Sequence, residues 1–160
     1  MTGTKNALRE LVTDPAQVAE ILGRSEVLFL AIHSNPAPYV LPVFFGFEQG
    51  RLYVHSAPGG AKVELLRADP RVGFTAVCSV AIVEGTAACS FSARAESVTG
   101  SGIAGIVEDE AERLHGLDLI VRHYASRVPA EGFTYAPASL SRTRVIRIDI
   151  QAITGKRIGG

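Results

Sequence analysis

The pattern of apolar and polar positions in the first half of the chain predicts strands joined by short turns. Val27 to Ile32 is a nearly continuous apolar run, which is typical of a strand buried on both faces. Tyr39 to Phe47 predicts a second strand, although Pro42 inside it marks an edge or a bulge, where ligands often approach. Arg51 to Ser56 alternates between apolar and polar residues and predicts a third strand.

Three segments have the spacing of amphipathic helices. Asp14 precedes Pro15 as a helix cap, and we expect the helix that follows to end at Gly23. A short helix is predicted from Ala61 to Ala68. A third helix is predicted to begin near Glu108, where its first turn is acidic. Its predicted buried stripe consists of Ala111, Leu114, Leu117, Val121 and Tyr124.

The remaining apolar patterns predict further strands rather than further helices. Arg71 to Cys78 alternates, Val80 to Val83 predicts a short strand, and Ala88 to Ile106 predicts one bent strand. Arg144 to Ile153 has the clearest alternation in the chain. Because the strands follow one another as hairpins, the pattern favours an antiparallel barrel or sandwich with peripheral helices.

Length and composition are those of one domain that associates with itself. The 160 residues fit a single domain over 1–160, in which we expect 1–13 to form a flexible arm. Apolar residues make up 47% of the chain and its mean hydropathy is +0.21, which is high for a monomer of this size. We therefore expect an apolar surface to be buried against a second copy, which gives a homodimer.

Charge and cysteine usage exclude several classes of function. The net charge is zero and no basic cluster occurs, which argues against nucleic acid as a ligand. No apolar run reaches the ~20 residues that a membrane helix needs, and the polar first residues have no signal-peptide core, so we expect a cytoplasmic protein. Cys78 and Cys89 lack metal or redox spacing, and we interpret them as reduced packing residues rather than a disulfide.

A small-residue turn after the third strand has the composition of a phosphate site. Ser56 ends the strand, Gly59 and Gly60 form the turn, and Lys62 lies in the first turn of the predicted helix. Free backbone N–H groups of a turn and a helix start, together with one cation, suit a phosphate group. The alternative is a plain loop with a solvated lysine. The Walker pattern is absent, so nucleotide hydrolysis is not expected.

His55 is the histidine with the strongest claim to chemistry. It precedes the predicted phosphate turn and lies on the strand face opposite Leu52 and Val54, so it points away from the predicted core. A neutral imidazole can accept or donate a proton near neutral pH, although a structural histidine is the alternative. The other histidines are interpreted as structural, and no metal site is predicted, because His115 and His123 have no evident third ligand.

Two further segments are weaker candidates for ligand contacts. Ser97, Gly100, Ser101 and Gly102 form a small-residue patch that a ring system could approach, or that is simply flexible. Lys156 follows the last strand and is interpreted, from the residues alone, as part of a frayed tail rather than as an anion contact.

Several short segments together resemble one known family. They are Pro38-Tyr39-Val40, Pro42-Val43-Phe44, Leu52 to Ala57, Gly60-Ala61-Lys62, Asp69 to Phe74, Glu96 to Gly102, Arg122-His123-Tyr124 and Gly155-Lys156. From about Asp14 to Arg157 the chain resembles FMN-binding split-barrel proteins, and within them the pyridoxamine 5′-phosphate oxidase-like branch related to nitroimidazole-resistance reductases. The resemblance implies a mainly β fold, a six-stranded antiparallel split barrel, with two FMN sites between the subunits of a homodimer.

The resemblance also assigns roles to residues of the central hairpin. It implies that the backbone of Val43 and Phe44 lines the flavin ring, and that His55 and Ser56 flank the ring and the ribityl chain. Lys62 would contact the phosphate. These roles agree with the independent interpretation of the turn as a phosphate site.

Other implied contacts come from the end of the chain and the second subunit. Ser97 and its neighbours would come from the other subunit or its rim, and Lys156 would assist at the phosphate. Ala95 departs from the pattern, because relatives often have a tyrosine there, which places activity on the family's nitro substrates in question. The substrate-binding arginine motif of pyridoxamine oxidase is not evident, so vitamin B6 chemistry is not expected.

These observations predict an FMN-dependent oxidoreductase. A nicotinamide donor or an external reductase would reduce the flavin, which would pass electrons to a small organic acceptor such as a nitro compound or a quinone. A first alternative is a flavin or haem binding protein without turnover, in which His55 or His123 would be an axial ligand. A second alternative is a deazaflavin-dependent reductase.

Overall fold

Eight antiparallel strands and four α-helices form in the part of the chain that the structure describes. The computed structural model describes residues 9–129 and 132–159. The strands are β1 (Arg9–Val12), β2 (Leu28–Ile32), β3 (Tyr39–Val43), β4 (Phe45–Glu48), β5 (Arg51–Ser56), β6 (Arg71–Val83), β7 (Ser92–Ile106) and β8 (Arg144–Ile158). The helices are α1 (Pro15–Arg24), α2 (Ala61–Ala68), α3 (Glu110–Tyr124) and α4 (Pro137–Leu140).

The strand order explains why the sheet curls into a barrel. Along the sheet the order is β3-β2-β6-β7-β8-β5-β4, and β1 pairs with β8 outside this path. β3 and β4 are therefore at opposite ends of the path, yet Val43 and Phe45 are separated in the chain by Phe44 alone. The two ends of the sheet must meet at Phe44, and the barrel is split there.

One apolar core fills the barrel. The inward side chains of β2, β5, β6 and β8 alternate with outward ones, and α1 covers the core with Ile21 and Leu22. The largest fully buried side chains are Phe45, Ile21, Leu22, Leu28, Leu30, Ile32, Leu52, Ile146 and Ile148. The antiparallel β fold with peripheral helices that the sequence predicts is confirmed.

A second, smaller core lies between α3 and the sheet. Tyr53, Leu117, Ile120 and Val145 are buried in it. Here α3 approaches β4 very closely, because a Cβ atom at Gly46 would lie 2.6 Å from the backbone carbon of Leu119. The absence of a side chain at this position lets the helix backbone rest on the strand.

The observed elements differ from the predicted ones in several bounds. The predicted strand Tyr39–Phe47 is two strands, and 71–83 is one strand with a register shift between Cys78 and Ala81. Arg9–Val12 pairs with Gly155–Ile158, so this part of the predicted flexible arm is a strand, whereas residues 1–8 lie outside the described part. One division, one fusion and the addition of β1 turn the seven strands that the sequence patterns predict into the eight observed in the described residues, whereas the resemblance implies six.

The helices also correct two expectations. α1 is capped by the Asp14 carboxylate, which accepts from the backbone N–H of Gln17 at 3.0 Å as predicted, but the helix continues past Gly23. α3 starts after a cap at Asp109 and buries Gly116, Leu117 and Ile120. The predicted stripe is therefore wrong at both ends, because Ala111 and Tyr124 are exposed. The reason is that only the middle of the helix is fully buried against the sheet.

Candidate functional site

The turn between β5 and α2 has the layout that the sequence predicts. Gly60 has φ +101°, a left-handed backbone conformation that favours glycine, and it caps α2. Its carbonyl accepts from the N–H groups of Val63 and Glu64. The first N–H groups of a helix have no acceptor within the helix, so the start of α2 offers donors to an anion.

Lys62 is held over the end of β5 rather than extended into solvent. Its Nζ donates to the backbone oxygen of His55 at 3.4 Å, and its side chain is half-buried. Burial lowers the pKa of the Lys62 ammonium from its usual value. A cation fixed beside a helix start is a suitable partner for a phosphate, and this position favours the phosphate interpretation over a freely solvated lysine.

His55 differs from His115 and His123, two of the histidines interpreted as structural. In residues 9–129 and 132–159, its imidazole has no hydrogen-bond partner, whereas His115 Nε2 lies 2.8 Å from Glu48 Oε2 and His123 Nε2 lies 2.8 Å from the backbone oxygen of Ser25. Partial burial, and secondly the positive charge of Lys62, lower the pKa of the His55 imidazole. At neutral pH the imidazole is therefore neutral and available to a ligand.

An apolar cleft opens beside His55. It has a volume of about 480 Å³ and is lined by Phe44, His55, Ile120, Val121, Tyr124 and Ala125. The ring of Phe44 meets the ring of Tyr124 edge-on, with centroids 5.0 Å apart. A smaller hollow of about 160 Å³ lies on the other side of Phe44 and includes Val43. The split between β3 and β4 therefore places Phe44 at the cleft and Val43 at the neighbouring hollow.

Sequence reasoning did not identify the contribution of α3 to this cleft. Ile120, Val121 and Tyr124 come from its last turn, and the sequence assigned Val121 and Tyr124 only to a buried stripe. The signal that could have found them is the position of the aromatic residue at the exposed end of a helix whose middle is apolar. Ser56, in contrast, is buried and its backbone pairs with Arg144, so its hydroxyl lies at the base of the turn rather than in the cleft lining.

Ser97 and Lys156 lie elsewhere in the same chain. They are direct partners on β7 and β8, whereas His55 pairs with Val145 at the other end of β8. The stretch of β8 from Val145 to Lys156 corresponds to about 35 Å of strand. Lys156 is part of β8 and pairs with Leu11, so it is not in a frayed tail. Within one chain the predicted site residues therefore form two separate groups.

The outward side of the sheet around Ser97 is mostly apolar or small. Residues that face each other on neighbouring strands form rows across this side of the sheet. Three such rows are Val40, Ala31 and Gly73; Pro42, Phe29 and Thr75; and Val77, Ser97, Lys156 and Leu11. Phe29, Val40, Val77 and Leu11 are exposed. Lys156 is the one charged side chain in these rows. We call this surface the outer face.

The cysteines and the remaining candidate groups are outside the cleft. Both cysteines are free thiols, and Cys78 packs in the core as predicted, but Cys89 is exposed and is therefore not a packing residue.

The described residues contain no cluster of three or more His, Cys, Asp or Glu side chains that could hold a metal ion. No helix in this part of the chain is long and apolar enough to cross a membrane.

Comparisons with known proteins agree with this architecture. The family model described as pyridoxamine 5′-phosphate oxidase matches residues 14–157. A candidate 5-nitroimidazole antibiotic resistance protein from Bacteroides thetaiotaomicron is 30% identical, with a TM-score of 0.82 over 97% of this chain and 90% of that one. No curated protein sequence matches significantly.

Two more distant structures share the fold. The flavocytochrome Anf3 from Azotobacter vinelandii is 24% identical, with a TM-score of 0.79 over 94% of this chain and 70% of that one. The FAD and haem binding protein from Mycobacterium smegmatis is 19% identical, with a TM-score of 0.82 over 94% of this chain and 74% of that one. At these identities the likeness concerns the fold alone.

Proposed function

The chain belongs to the pyridoxamine 5′-phosphate oxidase family, and we propose that it is a homodimeric, FMN-dependent oxidoreductase. The observation that carries this proposal is the position of Lys62, half-buried beside the start of α2 and directly next to an apolar cleft that contains His55. A ligand with a phosphate and a flat ring would match this site, with the phosphate at Lys62 and the ring in the cleft.

The phosphate end combines three features that favour an anion. Lys62 supplies a positive charge, Gly60 gives the turn its left-handed conformation, and the start of α2 supplies free N–H groups and the positive end of a helix dipole. The backbone oxygen of His55 holds the Lys62 ammonium in place, so the charge loses little freedom when an anion binds.

The ring end would exclude water and leave one polar group at the reacting edge. Phe44, Ile120, Val121 and the ring of Tyr124 form apolar walls, and His55 is the lining side chain whose usual pKa lies near neutral pH. A bound flavin supplies hydride or single-electron transfer, which the protein side chains cannot perform. The neutral His55 imidazole would donate a hydrogen bond to the electron-accepting substrate and so orient it. At neutral pH we expect this orienting role, rather than direct protonation of the substrate, to be the main contribution of His55.

A second copy of the chain would complete the site. The outer face is apolar and exposes Phe29, Val40 and Val77, as expected of a surface that packs against another copy. It also contains Ser97 and Lys156, which are remote from the cleft of their own chain. Packing of two outer faces would allow Ser97 and Lys156 of one copy to approach the cofactor in the other. Lys156 would then add a second positive charge for the phosphate.

The apolar lining favours an uncharged, planar acceptor. A nitro compound or a quinone has this shape, and the name of the Bacteroides relative points to the nitro class. Electrons would come from a nicotinamide donor or from an external reductase. The small side chain of Ala95, on β7 near Ser97, leaves space where relatives often have a tyrosine, so the acceptor would differ from that of those relatives.

The alternatives make different use of the same cleft. In a haem binding protein an imidazole would serve as an axial ligand, and His123 is a poor candidate because its Nε2 is already bonded to the backbone of Ser25. His55 would remain for that role. A deazaflavin would fit the same apolar walls and contact the same phosphate end.

Absorption spectra of the purified protein test the proposal. The protein would be measured alone and after separate incubation with FMN, FAD, haemin or a deazaflavin cofactor, with removal of the excess. Retained bands at about 370 and about 450 nm, followed by bleaching on anaerobic addition of a nicotinamide donor, support an FMN enzyme. A Soret band, or retention of the deazaflavin alone, would replace it with the corresponding alternative. Retention of FMN without reduction or turnover would indicate a flavin binding protein.

A further inference from the structure

The split of the barrel is bridged by side chains from the last turn of α3. On one side of the split are β3 and the connection from α1 to β2, which includes Glu26, and on the other side β4 begins at Phe45. Phe44 is the residue that crosses between the two sides, and its ring lines the cleft. Contacts that hold the two sides of the split together therefore also hold Phe44 in its position.

The hydroxyl of Tyr124 contacts both sides at once. It donates to the backbone oxygen of Glu26 at 2.9 Å, and it accepts from the backbone N–H of Phe45 at 3.1 Å. Tyr124 is exposed over about two fifths of its surface, and its partial burial raises the pKa of its phenol, so the hydroxyl keeps the proton that it donates. A phenol is one of the few side-chain groups that can donate and accept through a single atom.

The end of α3 has little freedom to move away from this position. The neighbouring His123 Nε2 lies 2.8 Å from the backbone oxygen of Ser25, and its ring packs against Phe45 with centroids 4.5 Å apart. One turn earlier, the backbone of the helix rests on Gly46. The Tyr124 hydroxyl is therefore presented to the split from a rigid support.

We propose that Tyr124 is a positioning residue that closes the split of the barrel and holds Phe44 in its orientation at the cofactor cleft. The proposal rests on the proposed function where it concerns the flavin. Loss of the hydroxyl would leave the Phe45 N–H and the Glu26 carbonyl without these partners, while the edge-on packing of the ring against Phe44 could remain. The two sides of the split at Phe44 would then separate more often.

The test compares Tyr124→Phe with Tyr135→Phe. Tyr135 is the matched control, because its hydroxyl also bonds to α3, donating to Asp118 Oδ1 at 2.7 Å, but it lies outside the cleft lining. In the absence of ligand, amide hydrogen exchange by NMR should be about tenfold faster at Phe45 in Tyr124→Phe and unchanged in Tyr135→Phe. FMN should bind about tenfold more weakly to Tyr124→Phe alone.

Separate readouts distinguish the possible failures. Unchanged exchange at Phe45 in Tyr124→Phe overturns the bridge. Faster exchange with unaltered FMN affinity, in a protein that binds FMN, overturns the positioning role. If the wild-type protein does not bind FMN, the proposed function fails. The inference is then decided without ligand, by exchange at Phe45 and by the nuclear Overhauser contact between the rings of residues 44 and 124, which should weaken in Tyr124→Phe.

Discussion

His55 and Lys62 influence each other through space and through the backbone. The Lys62 ammonium bonds to the His55 carbonyl and lies close enough to the imidazole to disfavour its protonation. The result is a neutral base next to a fixed cation. In the proposed site, this arrangement would let one short segment present a phosphate contact and a polar group for the ring edge without a second charge in the cleft.

The first prediction concerns the titration of His55. Burial is the larger cause of its lowered pKa and Lys62 the smaller one, so NMR of the imidazole C–H protons should give a midpoint below 6.5. Lys62→Ala should raise this midpoint part of the way back, because it removes the charge and leaves the burial. Any step in acceptor binding that needs the neutral imidazole should weaken as the pH falls through this midpoint.

Arg67→Ala provides the control for this titration. Arg67 is a cation on the same helix, but it pairs with Glu64 and is exposed. Its removal should leave the His55 midpoint unchanged. A midpoint at or above 6.5 in the wild-type protein would contradict the account of the cleft.

At the residue level, the sequence predicts side-chain direction better than side-chain environment. Alternation along β5 correctly placed Leu52 and Val54 in the core and His55 outside it. It did not show that Tyr53, on the same face as His55, is buried under α3. Tyr53 is buried by a helix that begins more than fifty residues later in the chain. The local sequence around Tyr53 does not indicate where that helix packs.

Among the elements, α3 depends on two glycines for its contact with the sheet. A Cβ at Gly46 would meet the backbone of Leu119 at 2.6 Å, and a Cβ at Gly116 would meet the ring of Tyr53 at 2.7 Å. The nearest atoms to such a Cβ at Gly46 are backbone atoms of α3. The helix would therefore have to move as a whole to accommodate a side chain there. The position of Tyr124 at the split follows from this close packing.

The second prediction is that Gly46→Ala destabilises the protein by about 1–3 kcal/mol, the usual cost of overpacking a core. It should also weaken FMN binding, because the end of α3 lines the cleft. Urea unfolding followed by circular dichroism measures the first effect. Gly23→Ala, in α1 with no atom near the added Cβ, is the control and should increase stability slightly. Equal stability of Gly46→Ala and wild type would show that the approach of α3 is looser than described.

Glu96 on β7 connects α1 to β8. Its carboxylate accepts from Arg24 Nη1 at 2.6 Å and from Arg157 Nε at 2.7 Å. These hydrogen bonds, first from Arg24 and then from Arg157, lower the pKa of the Glu96 carboxyl to about 2. The ionised form is therefore favoured by folding, and its contribution to stability is complete above pH 4.5.

The third prediction is an acid-dependent loss of stability that Glu96 causes. As the pH falls from 4.5 towards 2, protonation removes this contribution, so thermal unfolding of the wild-type protein should shift steeply downward in that range. Glu96→Gln should flatten this part of the profile. Glu64→Gln, which breaks an exposed pair with Arg67, should leave it unchanged. Identical profiles for Glu96→Gln and wild type would contradict the role of this carboxylate.

The elements show where local patterns stop being informative. Pro42 correctly marked an irregular strand, but the break falls after Val43, where the chain changes partners from β2 to β5. This change of pairing partner results from closure of the barrel, and it produces no periodic pattern of apolar residues in the sequence. β1 was also missed, since four residues with one buried side chain have no apolar pattern of their own and become a strand by pairing with β8.

At the scale of the whole molecule, the proposed site brings its two groups of residues together through a second copy of the chain. Ser97 and Lys156 would contribute to the proposed cofactor site only if two outer faces pack together. The sequence predicted this association from its apolar excess and from the family resemblance, but it could not show which surface carries the excess. The exposed side chains of Phe29, Val40 and Val77 make the outward side of β2, β3 and β6 the surface that we propose.

The fourth prediction is that Phe29→Glu converts a dimer to a monomer. Phe29 is 43% exposed on the outer face, and a charge there would remain unpaired when two faces meet. Sedimentation velocity should give a dimer for the wild-type protein and a monomer with weakened FMN binding for the variant. Val128→Glu, at an exposed apolar position after α3, should remain dimeric. A monomeric wild-type protein that binds FMN tightly would remove the outer face from the site.

The most direct test of the central claim compares FMN with riboflavin, which lacks the phosphate, in binding to wild type and to Lys62→Ala. If the turn before α2 holds the phosphate, wild type should bind FMN more than tenfold more tightly than riboflavin, because a charge-assisted hydrogen bond contributes about 1.5–3 kcal/mol. Lys62→Ala should lose most of that preference and bind riboflavin as wild type does. Equal affinity of wild type for the two ligands, or an unchanged preference in Lys62→Ala, would contradict the assignment of this site.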